Sequence, residues 1–137
     1  ELELKLLNGE LTVDDAPEAW NSMYENYLEV RPETDSLGIL QDIHWSMGAI
    51  GYFPTYAFGN MIAAQLYEAI DAEVGPLDEH FARGEFGILK HWLNEKIHSQ
   101  GQRYLTDDLL ERLTGRPLDA NSLIKYLDNK LELIYKV

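Results

Sequence analysis

Between Gly38 and Tyr56 the sequence gathers side chains able to do hydrogen-bond chemistry with little charge. They are Gly38-Ile39-Leu40-Gln41-Asp42-Ile43-His44-Trp45, then Gly51-Tyr52-Phe53-Pro54-Thr55-Tyr56. Neutral imidazole and phenol groups can donate to a developing oxyanion without carrying a full charge into a dry place. Asp42, two residues before His44, can orient or recharge the ring. Tyr52 and Tyr56 are four apart and would point the same way on a helix start. The same residues also fit a buried core in which tyrosine and tryptophan satisfy their polar tips and Asp42 caps a turn. Spacing alone leaves both readings open.

Other chemistries fail on residue type. The sequence has no cysteine, so a disulfide framework, a thiolate metal site and a thiol nucleophile are excluded. It has no phosphate-binding Gly-x-x-x-x-Gly-Lys and no dinucleotide Gly-x-Gly-x-x-Gly. His44-Trp45-Ser46-Met47-Gly48 imitates a nucleophile elbow, but His stands where the first glycine belongs and no strand precedes it. No His-Glu-x-x-His is present. His91, Glu95 and His98 fall within two turns of one helix, yet metal sites normally draw ligands from more than one element, so a solvated face is expected there. His80, beside Glu79, shows no partner in the sequence.

The elements that must position this cluster read as helices. Leu2 to Leu7 resembles the end of a helix that began earlier, stopped by Asn8-Gly9. Asp14, Asp15 and Pro17 open a second helix. Trp20, Met23, Tyr24, Tyr27 and Leu28 form its apolar face, and Arg31-Pro32 ends it. From Ile43 to Tyr67 there is no Asp, Glu, Lys or Arg. Too many polar groups and breakers interrupt this stretch for a bilayer span. It reads as an irregular segment around Gly48 and Gly51, then a long buried helix from Pro54 to about Glu73. Four amphipathic helices follow: Pro76 to Arg83, Phe86 to about Ser99, Asp107 to Thr114 capped by Thr106, and one from Asn121 or Ser122 with Ile124, Leu127, Leu131 and Ile134 on one face. The expected class is all-α, a multi-helix array in one domain over 1–137, with no internal repeat.

A length of 137 residues and a charge of −13 bound the partners. Such acidity argues against nucleic acid and against an anionic membrane surface. Residues 1–82 hold 2 basic and 16 acidic side chains, or −14; residues 83–137 hold 9 and 8, or +1. An acidic solvated surface explains this, as would a face turned toward a basic partner or another part of a longer chain. No signal-peptide pattern is visible, and a cytoplasmic location is expected.

Gly38-x-x-Gln41-Asp42-x-His44-Trp45 resembles the signature of the thermostable (Taq-type) metallocarboxypeptidases, helical zinc exopeptidases that carry His-Glu-x-x-His. Gly51-Tyr52-Phe53-Pro54-Thr55-Tyr56, Gly59-Asn60 and Ala63-Ala64-Gln65 continue the block. Leu11-Thr12-Val13-Asp14-Asp15-Ala16-Pro17-Glu18-Ala19-Trp20-Asn21 and Leu113-Thr114-Gly115-Arg116-Pro117-Leu118 extend the likeness to both ends. The resemblance implies the C-terminal part of a larger, mostly helical carboxypeptidase that removes C-terminal residues from peptides. It implies zinc or another divalent metal in the full-length parent, none held by these residues, and a homodimeric parent. It implies His44, Tyr52 and Tyr56 as catalytic oxyanion donors, with Gln41 and Asp42 in substrate binding and Asp42 orienting His44. No activity is expected from this chain alone, and a piece cut from a larger protein should expose apolar surface and self-associate. The alternative is a non-enzymatic acidic helical interaction domain.

Overall fold

Proline in the first turn, polar stops and four-residue apolar spacing give helices where the pattern places them. A computed structural model describes residues 1–136 and contains no strand among them. The chain divides into two compact units, Glu1–Thr55 and Tyr56–Val137.

In the first unit, α1 (Leu2–Leu7) packs against α2 (Ala16–Leu28). Before α2, the Asp15 N–H donates to Thr12 Oγ1 at 3.2 Å and the Thr12 hydroxyl donates back to Asp15 Oδ2 at 2.6 Å. Asp15 occupies the cap position without bonding the helix through its own side chain. Trp20 and Tyr24, one turn apart, stack with centroids 4.6 Å apart. The helix stops earlier than Arg31-Pro32 suggests. Glu29 turns left-handed (φ 57°) and its N–H returns to Glu25 O, which satisfies a terminal carbonyl before the proline is reached. Arg31 then reaches back to Glu18 at 2.6 Å and Glu25 at 3.1 Å, holding the Glu18 carboxyl below the ordinary glutamate range.

Beyond α2 the chain makes single 3-10 turns at Asp35–Leu37, Ile39–Gln41 and Trp45–Met47. Gly38, between the first two, is buried against α2. A Cβ there would meet Asn21 Oδ1 at 3.1 Å, with Pro32 Cβ and Trp20 Cζ3 at 3.3 Å. The signature's first glycine is thus explained by close approach.

The long helix α3 (Pro54–Val74) enters the second unit, followed by α4 (Leu77–Ala82), α5 (Gly87–Lys96), a 3-10 turn at His98–Gln100, α6 (Thr106–Thr114) and α7 (Asn121–Tyr135). Ile70, Leu77 and Trp92 form its buried centre, flanked by Leu66, Phe81, Leu89 and Leu113. Two expectations change. Thr106 is the first helical residue of α6 rather than its cap. And α3 is buried only in part: Gln65 and Ile70 are enclosed, whereas Pro54 to Asn60 are exposed. Freedom from charge marked surface left uncovered by this chain, not a helix sunk in its core.

Gln65 ties α3 to the segment joining α6 and α7. It is 1% exposed. Its Nε2 lies 3.0 Å from Thr114 Oγ1 and 3.1 Å from Pro117 O, and its Oε1 accepts the Asp119 N–H at 3.3 Å. Nearby, Arg116 bonds Glu68 at 2.7 Å and Ser122 at 2.6 Å, while the Ser122 hydroxyl donates to Glu68 at 2.7 Å. The Ser122 bond, together with Lys125 and Arg116, holds the Glu68 carboxyl below its ordinary range.

Candidate active site

Asp42 follows the 39–41 turn with extended backbone (φ −81°, ψ 109°), which aims its carboxylate at the next turn. Oδ1 accepts the His44 backbone N–H at 2.8 Å and lies 2.9 Å from His44 Nδ1. One oxygen therefore fixes both the main chain and the ring of His44. The His44 side chain is 15% exposed and that of Asp42 is 23%. Opposite, Gly48 and Gly51 both adopt left-handed φ (74°) and return the chain toward the ring. Tyr52 stacks on His44 with centroids 5.5 Å apart and planes 20° from parallel, and Phe53 meets it edge-on at 5.2 Å and 84°. The Tyr52 carbonyl accepts the Thr55 hydroxyl at 2.6 Å and the Thr55 N–H at 3.0 Å, joining this turn to the start of α3.

The structure thus brings Asp42, His44 and Tyr52 together. Gln41 lies at the end of the same 3-10 turn, where its Nε2 donates to the Ser36 carbonyl. Tyr56 sits in the first turn of α3, within the second unit, and is 53% exposed. Tyr52 precedes α3, because Pro54 opens the helix, so the helical spacing expected of the two tyrosines does not apply. The Phe53 edge contact and a bond from the Gly51 N–H to the Glu3 carboxylate were not anticipated. Phe53 lay inside the motif with no assigned role, and nothing in the sequence marks Glu3.

The remaining histidines are accounted for separately. His91 Nε2 lies 3.5 Å from Glu95 on an exposed face, and His98 Nδ1 lies 2.8 Å from Asn94 Oδ1. His80, without a visible partner in the sequence, is 2.9 Å from Glu85 and 3.2 Å from Arg83. The described residues group no three His, Cys, Asp or Glu side chains able to hold a metal. A cavity of about 600 Å³, lined by Ile62, Leu66, Ile97, Tyr104 and Leu113, belongs to the second unit and includes none of the predicted site residues.

Comparison with known proteins decides the family. The family model of carboxypeptidase Taq (M32) metallopeptidases matches residues 1–131. The chain belongs to the M32 family. It is 44% identical over 135 residues to thermostable carboxypeptidase 1 of Thermus thermophilus, covering 98% of this chain and 26% of that protein. It is 43% identical to carboxypeptidase 1 of Bacillus subtilis, covering 98% and 27%. Among solved structures, the M32 carboxypeptidase of Deinococcus radiodurans matches with a TM-score of 0.94 at 41% identity, over 99% of this chain and 28% of that one. The Pyrococcus furiosus carboxypeptidase matches at 0.90 and 42% identity, over 94% and 26%. The chain therefore shares the fold of the matching part of those M32 structures, and the all-helical class holds among the described residues. The chain spans about a quarter of the length of the M32 relatives it matches.

Proposed function

We propose that this chain is the C-terminal part of a metal-dependent carboxypeptidase that removes C-terminal residues from peptides, and that its first unit supplies one wall of the cleft. The observation that carries the reading is the fixing of His44 between the Asp42 carboxylate and the Tyr52 and Phe53 rings. In its neutral form the ring donates Nδ1–H to Asp42 and leaves Nε2 an acceptor. When the ring is protonated, both nitrogens donate and the Asp42 carboxylate balances the added charge. Nε2 would then donate to the tetrahedral oxyanion or hold the peptide's terminal carboxylate.

Tyr52 and Tyr56 are the phenols proposed to assist. Gln41 and Asp42 are the substrate-binding pair, with Asp42 acting through His44. The divalent metal, zinc in this reading, would be held by residues of the full-length protein other than those described here. A homodimeric parent and a cytoplasmic setting complete the proposal.

The test is His44→Ala in the full-length protein. Losing one donor of this kind typically lowers turnover about 10²–10³-fold. The expected result is a fall of that order with an unchanged circular dichroism spectrum. Turnover near that of the parent would take His44 out of the site.

A further inference from the structure

We propose that Glu3 is a positioning residue for His44, acting from α1 through the backbone of Gly51. The inference rests on the proposed role of His44 and extends it to a residue 41 positions away. The Glu3 carboxylate accepts the Gly51 N–H across 48 residues of sequence. Gly51 lies in a left-handed turn between Gly48 and Tyr52, and no helical bond uses its N–H. A charged acceptor is the stronger kind of partner for such a group, and it fixes the turn's direction as well as its position.

Tyr52 and Phe53 follow immediately, and both of their rings meet the imidazole. Asp42 fixes the opposite side through Nδ1. The ring is thereby gripped from two directions, one local and one remote, and Glu3 anchors the remote one. Within the first unit the anchor is direct, because α1 rests on α2 and presents Glu3 to the glycine turn.

Nuclear magnetic resonance of histidine-labelled protein reads this grip, because a stacked phenol ring shifts the His44 carbon-bound protons upfield. Tyr52→Leu supplies the value of those shifts without the ring. Glu3→Ala and Glu3→Met keep a good helix former in α1 but remove the acceptor. Both are expected to move the His44 signals downfield toward the Tyr52→Leu position and to speed Gly51 amide exchange. Glu3→Gln keeps a carbonyl acceptor and is expected to stay at the starting position. His44 signals unmoved in both acceptor-free variants would overturn the proposal, as would Glu3→Gln moving as far as they do. The outcome is separable from the peptidase reading. Should these shifts behave as expected while His44→Ala retains full turnover, Glu3 positions an imidazole that the chemistry does not use.

Discussion

Gly38 occupies a place where even a methyl group would crowd its neighbours. Its neighbours Trp20, Asn21 and Pro32 come from α2 and the segment just after it, so the signature glycine is a packing device that lets the Ile39–Gln41 turn lie against α2. Gly38→Ala should lower stability by about 1–3 kcal/mol, the usual cost of overfilling a packed contact. Urea denaturation measures it, and an unchanged midpoint would show that the contact relaxes freely. Of the site residues, the Asp42–His44 pairing was legible, because a carboxylate two residues before a histidine can close a local turn onto its own backbone. The Tyr52–His44 stack was not. It depends on left-handed turns at Gly48 and Gly51 and on the bond from Gly51 to Glu3, distant in sequence, and helical spacing suggested a different partner for Tyr52.

At the scale of elements, the seven helices among the described residues lie close to where the pattern puts them, because proline starts, glycine stops and amphipathic spacing are local signals. The ends that moved did so for tertiary or terminal reasons. The left-handed turn at Glu29 ends α2 before the proline, and α6 begins on Thr106 instead of using it as a cap. Polar ties between helices were invisible in the sequence. One of them joins α3 to α4. The Tyr67 hydroxyl donates to Asp78 Oδ1 at 2.9 Å, and desolvation together with that carboxylate pushes the phenol up to about 12.

A raised phenol binds its proton more tightly in the folded state. Stability is therefore expected to decline as pH climbs from the ordinary value of 10.0 to about 12, and to show no such effect below that window. Phenolate absorbance should reveal one tyrosine ionising near 12. Tyr67→Phe should abolish that step and flatten the decline, and a titration unchanged by the substitution would refute the assignment.

The whole molecule carries an uneven outer face. Ile124, Leu127, Leu131 and Ile134 line one side of α7 at 45–57% exposure, and Phe58 on the opening half of α3 is 50% exposed. The M32 relatives that the chain matches extend to roughly four times its length. Contiguous apolar surface of this kind promotes association. Sedimentation of the isolated chain is expected to show concentration-dependent self-association, and Leu127→Glu with Leu131→Glu should reduce it. A strictly monomeric chain at high concentration would remove that expectation.

The grip of Glu3 on Gly51 has a consequence for damage. The imidazole depends on a helix that precedes the 8–15 connection and meets the rest of the first unit at α2, Tyr27 and Gly51. A single protease nick in that short strip would leave His44, Tyr52 and Asp42 chemically intact, yet sever the covalent path between the anchor and the ring it steadies. Such a wound would loosen orientation without deleting one atom of the proposed machinery.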